Sequence, residues 1–298
     1  MPHGRALTRI GDTFYNGRMT GTGMTAEAAD KLRRLDALLM EMGRVAIAFS
    51  GGTDSTFLVG HAQGIAGVQA TAITVRSSLM PASDAELAAR FCAERGIPHI
   101  VLEVDPLACA DVRANGPDRC YHCKRVIMDA VAAAAAELDA IPCDGSNADD
   151  AFDYRPGAAA LEELGIASPL AQVGLSKAEI RQAARCEGLP RWDAPASACL
   201  ASRIPYGTPL AEDALLRVAQ AEQVLRAHGS SQVRVRAHRD VARIEVPAED
   251  MALLVQPSVR TEVSRMLHGL GFAYVAVDMD GYRMGSLNER LGGASDGT

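Results

Sequence analysis

The residues in this chain best suited to chemistry are three cysteines and one glycine turn. Cys120 and Cys123 stand in a CxxC spacing within "RCYHCKRVIM" (119–128), at the mouth of a segment with helical periodicity. Such a pair serves as a redox disulfide, as half of a metal site, or as two unconnected thiols. A third thiol, Cys199, lies in the small-residue stretch "APASACLASRIPYG" (194–207), where Pro195 and Pro205 restrict the chain on both sides. Taken alone, a free cysteine is more often a buried structural residue than a nucleophile. Arg203 and Arg191 would favour its thiolate if they stand close to it.

The glycine turn is "AFSGGTDSTFLV" (48–59), which joins an apolar strand directly to a helix. Gly51 and Gly52 let the backbone turn tightly and present several N–H groups to one point. Asp54 and Ser55 fall where the helix begins, so its positive dipole end faces the same point. Ser50 and Ser55 add hydroxyl donors. An ordinary Ser/Asp-capped glycine turn is the bland alternative. The strand-to-helix placement favours a phosphate cradle built from Ser50, Gly51, Gly52, Asp54 and Ser55. The Gly-Lys-Ser/Thr element of a Walker loop is missing, which argues against transfer of a terminal phosphoryl group.

Both features depend on the elements that carry them. Leu32, Leu35, Leu38 and Leu39 form one stripe of a helix over 27–41, and "RVAIAF" (44–49) reads as a buried strand. A helix over about 54–63, a strand "ATAITV" (70–75), a box "SDAE" (83–86) opening a helix, and a strand "HIVLEV" (99–104) follow. The helix carrying Cys123 then leads to a strand in "AIPCDG" (140–145), and "SKAE" (176–179) opens another helix. Strands alternating with helices of ten to fifteen residues predict an α/β fold, a doubly wound parallel sheet with its sites at the carboxyl ends of the strands. Beyond about Leu189 a Pro-rich connection precedes a long helix (about 210–228). Strands in "QVRVRA" and "ARIEV", a helix (about 257–269) and a strand "AYVAVD" complete a smaller C-terminal α+β domain. The division expected is a flexible extension at 1–24, a nucleotide-binding domain at 25–190, a second domain at 191–290 and a disordered tail at 291–298.

With 298 residues, 48% hydrophobic and 22% charged, the chain can bury a sizeable core. No apolar run is long enough to span a bilayer, and the first residues lack the apolar core of a secretory signal. The expectation is a cytoplasmic protein whose seven cysteines stay reduced. Cys92, Cys109, Cys143 and Cys186 fall within helix or strand patterns and read as core. The net charge of −7 argues against broad contact with nucleic acid.

The SGGxDS loop resembles that of the PP-loop ATPases (adenine nucleotide alpha hydrolase-like), which cleave ATP between the α- and β-phosphates. The resemblance implies ATP, Mg²⁺ and a nucleophile that displaces AMP, with Asp54 near the metal. A narrower likeness comes from "SGGTDST", "RCYHCK", "DGSNADDAFDYRPG" (144–157), "SPL", "SKAEIRQAARCEGLPRWDAPASACLASRIPYG", "ARIEV" and "GYRMGSLNE" (281–289) in this order. Together they resemble the LarE family of ATP-dependent sulfur transferases over about residues 27–290. That family implies pyridinium-3,5-biscarboxylic acid mononucleotide as substrate, a precursor of the nickel-pincer nucleotide of lactate racemase. Each carboxylate would become an acyl-adenylate, which the thiolate matching Cys199 attacks. In the sacrificial version, loss of the Cα proton and cleavage of Cβ–S leave dehydroalanine on the protein.

Adenylate leaving groups and thiolate nucleophiles suit one another at neutral pH. An anionic substrate accounts for the arginines of "VRVRAHRDVARIE" (233–245). Arg234 and Arg236 alternate onto one strand face and, with Arg203, are candidate phosphate contacts, the bland alternative being a solvated face. Glu222 and Glu245 are candidate carboxylates for a divalent metal or a general base. Asn147, Asp150, Asp153 and Arg155 lie in a turn-rich strand end expected beside the nucleotide.

Some family members have a single sacrificial cysteine, whereas this chain has three candidates. A CxxC plus one distant cysteine suits a [4Fe–4S] cluster with one iron open. Related PP-loop enzymes use such an iron to carry exogenous sulfide, which would leave Cys199 intact. Sacrifice of Cys199 beside two idle thiols, zinc and a disulfide remain open, although zinc would need a fourth ligand and His122 faces away from the cysteines on its helix. Competing functions are a tRNA thiolase, which would need a basic RNA-binding surface, and a nucleotide-binding cluster sensor without turnover. The family's habit of assembly makes a homo-oligomer the expectation.

Overall fold

The computed structural model describes residues 24–152, 157–194, 198–230 and 232–283. In chain order come α1 (Ala26–Met42), β1 (Arg44–Ala48), α2 (Thr53–Gln63), β2 (Gln69–Arg76), α3 (Ala82–Arg95), β3 (His99–Glu103), α4 (Ala110–Ala114), α5 (Arg119–Glu137) and β4 (Ile141–Cys143). Then follow α6 (Gly157–Glu163), α7 (Pro169–Gln172), α8 (Lys177–Cys186), α9 (Glu212–Ala227), β5 (Arg234–His238), β6 (Val241–Glu245), α10 (Ala248–Leu254), α11 (Pro257–Gly269) and β7 (Tyr274–Val277). Among the described residues no helix is long and apolar enough to cross a membrane. The N-terminal extension and the C-terminal tail expected from the sequence lie outside the described residues, Met24 excepted.

The chain forms two compact units. Of the described residues, one takes those up to Val75, in Ser83–Leu102 and from Met128 to Ala194, and the other takes Arg76–Ala82, Glu103–Ile127 and those from Ala198 to Arg283. A division into two contiguous stretches is therefore not how the contacts group. The reason is apolar: Leu79 and Val112, from the segments after β2 and β3, are buried in one cluster with Leu200, Ile204, Leu210 and Val235. Burying such side chains is worth about 1.5–3 kcal/mol each, so they draw their segments with them.

In the first unit the sheet order is β3-β2-β1-β4, with β1 paired in parallel to both β2 and β4. Val45, Ala46 and Ile47 are fully buried, as a strand covered on both faces requires. Leu32, Leu35 and Leu39 of α1 face this core, and Leu38 packs at its edge. The Ser176–Glu179 capping box at α8 is formed in both directions. The box expected at Ser83 is displaced: α3 already begins at Ala82. Because the chain leaves β1 toward β2 on one side and β4 lies on the other, the carboxyl end of β1 is a topological switch point.

In the second unit β5 and β6 pair antiparallel, and β7 adds to β6 in parallel. Leu215, Val218, Ala221 and Leu225 of α9 and Val263 and Leu267 of α11 belong to the same buried cluster as Val235, Ala242 and Ile244 of the sheet. Helix α5 begins in this unit with Cys120 and Cys123.

Candidate active site

The glycine turn follows β1 at the switch point. Gly51 has φ +73°, a conformation that a side chain would strain, and Gly52 is the N-cap of α2. Ser50 Oγ lies 3.2 Å from Ser55 Oγ, so the two hydroxyls flank the turn. The segment after β4 closes on it: a Cβ on Gly145 would meet Ser55 N at 3.0 Å and Ser55 Cα at 3.1 Å. Asp144 ties that segment down by accepting from Ser146 N (3.1 Å), Ser146 Oγ (2.7 Å) and Ser168 Oγ (2.7 Å).

Asn147 Nδ2 donates to Asp54 Oδ2 at 2.8 Å, which joins the start of α2 to the segment after β4. Burial pushes the Asp54 carboxyl above its ordinary value, against the pull of the Asn147 bond, and Asp150 adds to the rise. Asp150 pairs with Lys177 Nζ at 3.0 Å. One oxygen of Asp54 is taken by Asn147, so a divalent ion could use the other, and a carboxylate whose charge is poorly compensated suits an incoming cation. Arg155 and Asp153 lie outside the described residues.

All three candidate cysteines belong to the second unit. Cys120 is exposed, whereas Cys123 and Cys199 are half-buried. Burial pushes the Cys123 thiol up to about 12, and the charges of Cys199 and Cys120 raise it further. Arg119 is buried beside them; burial works against its charge, but Cys199 and Cys120 outweigh that and strengthen it. His122 is held by Asp118 (3.1 Å). Among the described residues no three His, Cys, Asp or Glu side chains converge to hold a single metal ion. A cubane cluster spans a wider gap than one ion, and three thiols with a buried cation beside them are donors of the right chemistry for it. The remaining cysteines divide. Cys92 and Cys143 are buried, with burial pushing them up to about 11 and about 12, whereas Cys109 and Cys186 are half-buried, Cys109 packing at the edge of the second core.

Behind Cys199 runs an arginine network. Arg203, only 1% exposed, grips Glu222 with two bonds (2.7 and 3.0 Å). Its Nη1 donates to the carbonyls of Ala198 (2.7 Å) and Cys199 (3.0 Å) and to Ser202 Oγ (2.9 Å). Arg203 thus fixes the main chain at Cys199, and none of these bonds goes to the thiol. Arg191, in the other unit, uses its carbonyl to accept from Thr53 Oγ1. Arg236 forks onto Glu245 (3.0 and 2.9 Å) and reaches Ser202 O at 2.6 Å.

Every carboxylate oxygen of Glu222 and Glu245 is bound to a guanidinium, Arg226 and Arg243 completing the two sets. This corrects the expectation that they stand free for a metal: here they are counter-ions, and binding a divalent cation would require the arginines to let go. Burial would raise Glu222, but Arg203 above all, then Arg226 and Arg234, hold it below the usual carboxylate range. Arg234 differs from its neighbours. It is 7% exposed, donates to Val233 O, lies under the Tyr282 ring (5.4 Å), and has no carboxylate within 4.0 Å among the described residues. Burial and Arg203 lower its hold on its proton. A buried cation without a counter-ion is the feature an anionic group would satisfy. Sequence reading passed over Asn115 and Arg119; the only sign of them was a charged residue adjoining the CxxC.

A parallel sheet with a glycine-turn cradle at its switch point, and a thiol-bearing loop on an α+β unit, define an ATP-using enzyme of the PP-loop class. Residues 33–137 match the asparagine synthase family. The chain is 41% identical over 265 residues to an uncharacterized protein of Synechocystis sp., covering 88% of this chain and 98% of that protein. It is 36% identical over 268 residues to the pyridinium-3,5-bisthiocarboxylic acid mononucleotide synthase of Lactiplantibacillus plantarum, covering 89% of this chain and 96% of that enzyme. The chain belongs to the LarE family of ATP-using sulfurtransferases.

Proposed function

We propose that this enzyme inserts sulfur into pyridinium-3,5-biscarboxylic acid mononucleotide, converting carboxylate to thiocarboxylate for nickel-pincer nucleotide synthesis. The observation that carries the reading is the 36% identity across nearly the whole length of an enzyme named for the bisthiocarboxylic acid product. The cradle of Ser50, Gly51, Gly52 and Ser55 receives the phosphates of ATP, with Asp54 beside Mg²⁺. A substrate carboxylate oxygen attacks the α-phosphorus, pyrophosphate leaves, and an acyl-adenylate results. Arg234 and Arg236, with Arg203 behind them, take the substrate's phosphate, Arg234 first because among the described residues it has no carboxylate to exchange.

Cys120, Cys123 and Cys199 hold a [4Fe–4S] cluster, whose open iron would supply bound sulfide when the cluster is present. In the absence of the cluster, Cys199 Sγ attacks the acyl carbon, AMP leaves, and a base removes the Cys199 Cα proton. The Cβ–Sγ bond then breaks with its electrons going to sulfur, leaving thiocarboxylate on the product and dehydroalanine at 199. The half-buried Cys199 and Cys123 beside a buried arginine support the cluster version, because iron–sulfur sites are shielded and anionic.

Anaerobic purification with iron and acid-labile sulfide analysis, followed by intact mass after turnover, tests both versions. Pyrophosphate release that depends on the biscarboxylate nucleotide is expected, and its absence rejects the assignment. Cluster-based transfer predicts iron, unchanged protein mass, and loss of activity in Cys120→Ala. Sacrifice predicts a mass loss equal to H₂S located at Cys199 and full activity in Cys120→Ala.

A further inference from the structure

We propose that Asn115 and Arg119 form a clamp that sets the position of the Cys120–Cys123 helix against the Cys199 loop, and so are positioning residues for the three-thiol site. This rests on the three-cysteine reading above. Asn115 is fully buried and sits in the left-handed region (φ +57°) as the C-cap of α4. Asparagine tolerates that conformation better than most residues. Its Nδ2 donates to the carbonyls of Pro205 and Thr208, both at 2.9 Å, while its own carbonyl accepts from Gly207 N at 3.0 Å. Its Oδ1 accepts from Arg119 Nη1, so every polar group of the side chain is used on one of the two segments.

Arg119 extends the clamp toward the thiols. It is 3% exposed; Nη1 also donates to Ala201 O (3.3 Å), Nη2 lies 3.7 Å from Cys120 Sγ, and the guanidinium stacks 5.4 Å from the Tyr206 ring centre. One planar group therefore touches the Cys120 side chain, the main chain two residues past Cys199, and Asn115. Besides the Gly207 N–Asn115 O bond, the main-chain tie between these segments among the described residues is Leu210 N to Arg113 O (2.8 Å), eleven residues past Cys199. A lysine supplies one point charge and no fork, so it cannot hold Asn115, Ala201 and Cys120 together.

The test is anaerobic reconstitution of the reduced full-length protein with ferrous and ferric iron in equal amounts and sulfide, read as bound iron and visible absorption. Two ferrous ions, two ferric ions and four sulfides make up one [4Fe–4S] core, and the three thiols lose their protons as they bind it. The wild type is expected to hold one cluster, and to lose it in each of Cys120→Ala, Cys123→Ala and Cys199→Ala. Arg119→Gln is expected to give up its iron to a chelator at least tenfold faster, with the melting temperature within a few degrees of wild type. Arg119→Lys is expected to lose iron as fast as Arg119→Gln. If wild type holds no cluster, or holds one without Cys199, the three-cysteine reading falls and the clamp with it. If the cluster needs all three cysteines but Arg119→Gln keeps its iron within twofold of wild type, the clamp alone is overturned. Should Arg119→Gln fail to fold, Asn115→Asp decides by the same tenfold criterion, since it keeps the bond to Arg119 and loses both donors to the 205–208 loop.

Discussion

Replacing Glu222 by glutamine should cost this protein both stability and order around Cys199. Glu222 is fully buried, and its two oxygens accept from Arg203 (2.7 and 3.0 Å), Arg226 (2.8 Å) and the Val235 main chain (3.1 Å). The amide keeps the shape but removes the charge, leaving Arg203 buried without a counter-ion and Arg234 with one fewer negative charge nearby. Breaking one partner of a buried pair costs about 3–5 kcal/mol. At roughly 2–4 °C per kcal/mol for a chain of this size class, the melting midpoint should fall by roughly 6–20 °C. Because Arg203 also holds the Ala198 and Cys199 carbonyls, alkylation of Cys199 by iodoacetamide, followed by peptide mass spectrometry, should accelerate. Calorimetry and that labelling rate are the assays. A double variant, Glu222→Gln with Arg203→Met, should recover part of the lost stability, since an apolar replacement leaves no orphaned charge. An unchanged midpoint together with unchanged labelling in Glu222→Gln would refute the reasoning.

Other perturbations separate the two units. His61 is buried between Glu187 (2.6 Å on Nδ1) and Asp36 (2.8 Å on Nε2); burial opposes its charge, but the two carboxylates raise it to about 9. Its folded value lies above the unfolded one, so its contribution, on the order of 3 kcal/mol, is complete below about pH 6.5 and fades as pH rises through 9. Denaturation midpoints across pH 6–10 should show that loss in wild type and a flatter profile in His61→Gln. Gly145→Ala would press a methyl onto the Ser55 main chain at 3.0 Å. Overpacking of about 1–3 kcal/mol displaced into the cradle should raise the KM for ATP roughly 5- to 150-fold, measured by pyrophosphate release, with a smaller effect on melting.

Much of the first unit was legible because its signals are local. The β1 run was apolar throughout, as burial on both faces demands, and Gly51 and Gly52 stand at a strand-to-helix junction where only a tight turn fits. The Ser176 box, the long α9 and the β5–β6 pair also follow from short-range periodicity and capping. What failed to show were the short elements α4, α6, α7 and α10, each too brief to express a hydrophobic period. Nor did the sequence reveal that Leu79 and Val112 leave the nucleotide-binding stretch to join the other core, because burial partners distant in sequence carry no local mark.

By itself, then, the sequence determined the residues able to act: a phosphate turn, three thiols and a set of arginines and carboxylates, each recognisable by type and spacing. Tertiary structure decided how their charges are distributed. It neutralised Glu222 and Glu245 with Arg203 and Arg236, left Arg234 without a carboxylate among the described residues, and put Arg119 beside Cys120. The physical reason is that electrostatic partnership falls off over a few ångströms in space and is indifferent to distance along the chain. Arg203 and Glu222, nineteen residues apart, become one ion pair only when α9 packs against the Cys199 loop.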